Sequence, residues 1–209
     1  MPEHYTSDLL YWFDLFGTVV FAISGGLAAA RQRMDLFGFI VLAMMPAIGG
    51  GSIRDVLLNA PAFWISRPDY ILLCIGTAIV TFIAARHIAS RFRALLLADA
   101  IGLAAFTIIG TQKALNLGAS PLIAIMMGVI TAVAGGILRD LLCGEVPLIL
   151  RKEIYAVAAL TGSFVYWCVI SLGAMDIAVY VSFFVTLGIR LLAIYFRLAL
   201  PSFTGPPPS

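Results

Sequence analysis

The stretch AIGGGSIRD, residues 47–55, closes an apolar run that begins at Leu36. Each glycine inside a helix costs about 1 kcal/mol relative to alanine. An ionised side chain deep in a bilayer costs at least about 2.5–3.5 kcal/mol on insertion scales. A hydrophobic segment carrying both has to face protein or a polar interior. The chain contains the stretch again as AVAGGILRD, residues 132–140, with Arg139 placed 85 residues after Arg54 (139 − 54). Working outward, the same offset aligns Asp14 with Asp99, Gly17 with Gly102, Phe21 with Phe106, Gly25 with Gly110, Leu57 with Leu142 and Tyr70 with Tyr155. Charged and glycine matches at one offset identify an internal repeat.

Composition sets the environment of that repeat. Of 209 residues 62% are hydrophobic and 11% charged, and mean hydropathy is +1.04. Soluble domains are about 45–50% apolar and about 25% charged, so this is a membrane protein. A net charge of +2, scattered between apolar runs, excludes nucleic acid as a partner. Cys74, Cys143 and Cys168 are odd in number and lack metal spacing, which argues against disulfides and zinc and for small buried hydrophobes. The first eight residues hold no Lys or Arg, so the run from Leu9 to Ala30 reads as a retained first span, not a signal peptide. The proline-rich tail, 201–209, is expected to be disordered.

Seven apolar runs reach the roughly 20 residues that a spanning helix needs: 9–30, 36–57, 68–88, 94–115, 120–142, 153–173 and 177–198. Together they form one membrane domain over 1–209. Repeat 1 covers 9–93, repeat 2 covers 94–173, and span 7 stands outside the pattern. Three spans per repeat is an odd number, so the second copy enters the membrane inverted. Transport proteins use this construction, with the permeation or binding site at the repeat interface. The loops holding Arg31 and Arg33, then Arg86, Arg91 and Arg93, then Arg151 and Lys152, are the basic ones. The positive-inside rule therefore places the N-terminus outside and the C-terminus in the cytoplasm.

The predicted fold is all-α, with spans 2 and 5 bent or broken at Gly49, Gly50 and Gly51 and at Gly135 and Gly136. Pro46 adds a carbonyl without a helical donor one turn back. Irregular backbone at membrane depth lines a water-filled path or is covered by protein. For Gly25, Gly26, Gly102 and Gly110, close helix packing is the expected role. Arg54, Asp55, Arg139 and Asp140 need polar surroundings and partners. Adjacent helical side chains point about 100° apart, so each arginine need not bond the aspartate beside it. Depth instead predicts contacts of Arg54 with Asp14 and of Arg139 with Asp99. Among the hydroxyls inside spans, Ser24 and Thr131 are the better pore candidates; the others are expected to bond their own helix backbone. Lys113, at the end of span 4, is a secondary pore candidate that also fits an interfacial snorkelling role. No catalytic triad, phosphate loop, dinucleotide fingerprint or metal cluster is present, so no enzyme, metal or cofactor is expected.

The duplicated GGGSIRD and AGGILRD, with DLFGTVVFAISG and DAIGLAAFTIIG opening the two halves, resemble the trimeric intracellular cation (TRIC) channel family and its prokaryotic branch. The resemblance covers about residues 9–198. It implies a homotrimer in which each protomer holds its own pore between the repeats, lined by spans 2 and 5. It implies a monovalent cation, chiefly potassium, as the permeant species, membrane lipid as a partner, and the inner membrane of a prokaryotic cell. Relatives with this duplicated domain are also labelled glycine-transporter-like. A secondary transporter for glycine or another small zwitterion is thus the alternative.

Overall fold

The computed structural model of the chain describes residues 3–151 and 154–200, with side chains from residue 10 onward; the tail expected to be disordered lies outside the described residues. It is all-helical: α1 (Glu3–Arg31), α2 (Leu36–Leu57), α3 (Phe63–Ser66), α4 (Asp69–Ala84), α5 (Arg91–Asn116), α6 (Pro121–Leu142), α7 (Ala156–Ser171) and α8 (Met175–Phe196). Local chemistry sets the ends. The Asp35 carboxylate caps α2 by accepting the Gly38 N–H at 2.8 Å. Pro121 opens α6, where its missing N–H costs nothing. Gly118, Gly144 and Gly173, with φ of 79°, 66° and 80°, turn the chain out of α5, α6 and α7.

Six of these helices are long and apolar enough to cross a bilayer. The run expected to span 153–173 is the exception, because α7 has only 16 residues, about 24 Å of helix. A bend at Ile154 and Tyr155, after the 3₁₀ turn at Leu148–Leu150 that precedes the run, takes up its start. The third helix of repeat 1 has the same length: α4 also has 16 residues and is prolonged by a 3₁₀ turn at Ala85–His87. The sixth crossing is therefore a short helix among longer ones.

Contacts between the halves occur twice, with partners exchanged. Where α1 crosses α5, Phe21 and Phe106 stack at 5.1 Å between ring centroids. Gly17 lies against Phe106, and its counterpart Gly102 lies against Phe21. Where α2 crosses α6, Gly50 abuts the Thr131 carbonyl and its counterpart Gly135 abuts the Pro46 carbonyl. Thr131 is itself the counterpart of Pro46. Such reciprocal exchange is what an inverted repeat about a twofold axis produces.

These contacts correct the expectation for the glycines. Both α2 and α6 run as unbroken helices through Gly49–Gly51 and Gly135–Gly136. A side chain at Gly50 or Gly135 would occupy the space of a backbone carbonyl on the facing helix, at Gly51 that of the Phe63 ring, and at Gly49 that of Leu138. The glycines let two backbones touch. The packing expected for Gly25, Gly26, Gly102 and Gly110 is observed. The Leu42 carbonyl, left without its helical donor by Pro46, is met by Gly25 of α1, and the counterpart Gly110 meets the Met127 carbonyl.

Candidate functional site

Two ionic clusters lie at opposite ends of the helix bundle, one per repeat. In the first, Arg54 at the end of α2 folds back so that Nε and Nη2 both reach Asp55 Oδ1, at 2.8 and 2.7 Å. Lys113 Nζ, from α5 of the other repeat, sits 2.8 Å from the same oxygen. Asp55 Oδ2 accepts the Phe63 N–H at 3.0 Å, which pins the start of α3. Asp14 on α1 accepts the Tyr70 hydroxyl at 2.6 Å, and Tyr70 packs edge-on against Phe63 at 4.7 Å. Arg54 and Asp55 are buried, whereas the Lys113 side chain keeps 30% of its surface exposed.

Lys113 is exposed because it reaches into a cavity of about 790 Å³. Asp14, Tyr70, Arg67, Gln112 and Lys113 contribute its polar wall, and Tyr166 lies among its apolar lining. Arg67 stacks over the Tyr11 ring at 4.4 Å, which holds its charge at the cavity edge. This end is hereafter the vestibule end.

The second cluster has the same plan and is closed. Arg139 reaches Asp140 Oδ1 with Nε and Nη2, at 2.9 and 2.8 Å. Asp140 Oδ2 accepts the Leu148 N–H at 2.9 Å, as Asp55 accepts that of Phe63. Here Arg139 Nη1 also bridges to Asp99 Oδ1 at 2.7 Å and donates to the Ser24 hydroxyl on α1. One guanidinium thus clasps α6 to α5 and α1. Arg139, Asp99 and Ser24 have no exposed surface. Arg190 of α8, equally buried, lies 4.7 Å over the Tyr155 ring.

The sequence-predicted residues divide accordingly. Arg139 and Asp99 pair as expected, and Ser24 joins them. Arg54 and Asp14 do not: Arg54 is held by Asp55 and Asp14 by Tyr70. The depth argument for Arg54 placed the right residues at one end and overlooked the tyrosine that competes for the carboxylate. In both halves the arginine does bond the aspartate beside it, because a long side chain with a forked donor can reach along its own helix. Thr131, a pore candidate, bonds the Met127 carbonyl of its own helix at 2.5 Å and packs at Gly110, away from both clusters. Thr107, Thr111 and Thr186 also bond within their helices, while Ser182 crosses to the Gly162 carbonyl of α7.

Sequence reasoning passed over Arg190, although a lone arginine well inside span 7 is a signal of its own. With it the closed end balances, Asp99 and Asp140 against Arg139 and Arg190; at the vestibule end Asp14 and Asp55 face Arg54 and Lys113, with Arg67 at the cavity edge. Burial at low dielectric demands that balance.

The sequence profile of the glycine transporter family matches the chain twice, over residues 11–86 and 96–171. Solved structures of the same duplicated architecture are cation channels by title. The TRIC orthologue from Rhodobacter sphaeroides is 43% identical, covers 91% of this chain and 99% of its own, and superposes with a TM-score of 0.88. The chain belongs to the TRIC family. A prokaryotic TRIC channel crystallised in 0.5 M KCl is 29% identical, covers 93% of this chain and 100% of its own, with a TM-score of 0.87. Among curated relatives, the UPF0126 inner membrane protein YadS of Escherichia coli is 46% identical over 200 residues, covering 93% of this chain and 96% of its own. A UPF0126 membrane protein of Vibrio cholerae is also 46% identical, over 94% of this chain and 84% of its own. Both ionic clusters fall inside the two blocks matched by the glycine transporter profile except for Arg190, which lies beyond them on α8.

Proposed function

We propose that the chain is a monovalent cation channel, selective chiefly for potassium, with a pore inside each protomer between the inverted repeats and lined by α2 and α6. The observation that carries this reading is the pair of ionic clusters at the two ends of one repeat interface, with a polar vestibule of about 790 Å³ leading to the first. Carboxylates that face a wet cavity attract cations, and the arginines between them are neutralised by their own aspartates. The titles of the solved relatives support the cation and the trimer. The protein acts as a homotrimer in a bacterial inner membrane, N-terminus outside and C-terminus cytoplasmic, with lipid around it and no cofactor.

The vestibule also favours a second reading. Its wall holds Asp14 together with Lys113 and Arg67, and charges of both signs complement the ammonium and carboxylate of a small zwitterion. With the family's description, this supports a glycine carrier as the alternative. One experiment separates the two. Purified protein in a planar bilayer under asymmetric KCl is expected to give discrete unitary currents reversing toward the potassium potential. Silent bilayers with saturable labelled-glycine uptake into liposomes reject the channel.

A further inference from the structure

We propose that the chain has a second conformation in which a vestibule opens at the opposite end, beside Asp99, Tyr155 and Ser24, while Arg54 closes onto Asp14. The inference rests on an asymmetry between near-identical halves. At the existing vestibule Leu10, Tyr11, Asp14, Ile109, Gln112 and Lys113 are all partly exposed. Their counterparts at the 85-residue offset, Leu95, Leu96, Asp99, Ser24, Leu27 and Ala28, are all buried. The same lining is thus present at both ends, opened at one and collapsed at the other.

The hydrogen bonding follows the same division. Tyr70 donates to Asp14 at the open end. At the closed end Arg139 takes Asp99 Oδ1, and the buried Tyr155 hydroxyl lies beside Asp99 without a well-formed hydrogen bond. Exchanging the two arrangements satisfies both: Arg139 withdraws onto Asp140, Tyr155 donates to Asp99, and Arg54 swings to Asp14. Both arginines already hold their adjacent aspartate in the same way, so the swing leaves those pairs intact and exchanges only the outer contacts, Arg139 giving up Asp99 and Ser24 and Arg54 gaining Asp14. Inverted repeats interconvert by such exchange, and packed interfaces have discrete states rather than a continuum.

A surface latch holds the closed end. Arg31 and Arg151 both pair with Glu145, at 3.1 and 2.8 Å, and Gln32 donates to Glu145 and to the Cys143 carbonyl. At the vestibule end the counterparts of Arg31, Gln32 and Glu145 are Asn116, Leu117 and Ala60, which form no charged latch. The latch biases the chain toward the conformation described here.

The test uses protein in liposomes with Cys74, Cys143 and Cys168 replaced by alanine or serine, and single reporters Gln112→Cys and its counterpart Leu27→Cys. A small membrane-impermeant maleimide is applied to each face separately. Leu27→Cys is expected to react slowly, from the face opposite to Gln112→Cys. Glu145→Gln, or the milder Gln32→Ala, should speed that reaction by about fivefold, the equivalent of roughly 1 kcal/mol of surface ion pairing. In the double-cysteine protein, first reacting Gln112→Cys with a bulky maleimide props the vestibule open and should slow Leu27→Cys by a similar factor. Unchanged labelling after propping, labelling of Leu27→Cys from the Gln112 face, or a Leu27→Cys inert in both latch variants would each overturn the proposal. Labelling needs no conduction. Silent bilayers with reciprocal labelling reject the channel alone, and unitary currents with independent labelling reject this exchange alone.

Discussion

Arg139 and Asp99 meet at 2.7 Å with no exposed surface on either, whereas Arg54 and Asp14, which hold the same places in the first repeat, bond to Asp55 and Tyr70 instead. One sequence pattern thus has two outcomes in one chain. The difference lies in what each aspartate can reach. Asp55 already has a second cation in Lys113, and Asp14 has a tyrosine hydroxyl.

The consequence for stability is unequal. Arg139→Ala leaves Asp99 and Asp140 buried without their shared cation, a defect of about 3–5 kcal/mol. Arg54→Ala is expected to cost about half as much, because Asp55 keeps Lys113 and the Phe63 N–H. Arg139→Lys should recover only part of the loss, since an ammonium lacks the fork that spans two carboxylates. Thermal unfolding in detergent, followed by the trimer peak on gel filtration, gives the ranking. Equal losses for Arg139→Ala and Arg54→Ala would contradict the assignment.

Lys113 stands between the vestibule and Asp55 with its side chain partly in water. Lys113→Gln removes a positive charge from the route proposed for cations and leaves Asp55 paired with Arg54. Potassium flux into liposomes is expected to rise severalfold, with a smaller loss of thermal stability than Arg54→Ala, because the buried Asp55 keeps Arg54 and the Phe63 N–H. Reduced flux would make Lys113 a supporting residue of the path, not an obstacle in it.

Much of this was legible in the sequence because the repeat carries charges. Asp14, Arg54, Asp99 and Arg139 are rare residues for a bilayer, so their offset exposes the inversion, the span order and the Arg139–Asp99 pair. The glycines were misread because a glycine run has the same one-letter signature whether a helix breaks or two helices touch. Only the facing carbonyls of Pro46 and Thr131 decide between these. Tyr70 and Tyr155 aligned across the repeat, yet their hydroxyls matter only because α4 and the bend just before α7 bring them beside Asp14 and Asp99. Arg190 lies outside the repeat, where the offset is silent. The shortness of α7 depends on a bend after the 3₁₀ turn that hydropathy does not register.

The touching-helix reading of the glycines has its own test. At Gly25 a methyl group would overlap the Leu42 carbonyl, whereas at Gly76 it would meet nothing within 4 Å. Gly25→Ala is therefore expected to lower stability by about 1–3 kcal/mol through overpacking against backbone. Gly76→Ala should be neutral or slightly stabilising, since it replaces a helical glycine. Folded yield and melting temperature of the two variants measure the contrast. A neutral Gly25→Ala would mean that α1 and α2 are free to separate there, and would remove the packing role of Gly25.

The latch at the closed end titrates in a defined direction. Glu145 lies in the loop after α6. Partial burial raises its pKa, but the hydrogen bond from Arg151 and the charges of Arg31 and Arg151 outweigh that and hold the carboxyl below its ordinary value of 4.5. A depressed folded-state pKa means that the latch contributes its full stability above the ordinary carboxylate range and loses it as pH falls through the depressed value. The groups facing Glu145 are Arg31 and Gln32, from the junction of α1 and α2, and Arg151. Acidification from pH 7 to pH 5 should therefore leave labelling at Leu27→Cys unchanged, apart from the intrinsic slowing of thiolate chemistry, which Gln112→Cys records in parallel. Below the ordinary carboxylate range the ratio of Leu27→Cys to Gln112→Cys labelling should rise. In Glu145→Gln the ratio should already be raised at pH 7, and its acid-dependent step should be absent. A ratio that climbs equally in both proteins would place the acid-sensitive group elsewhere.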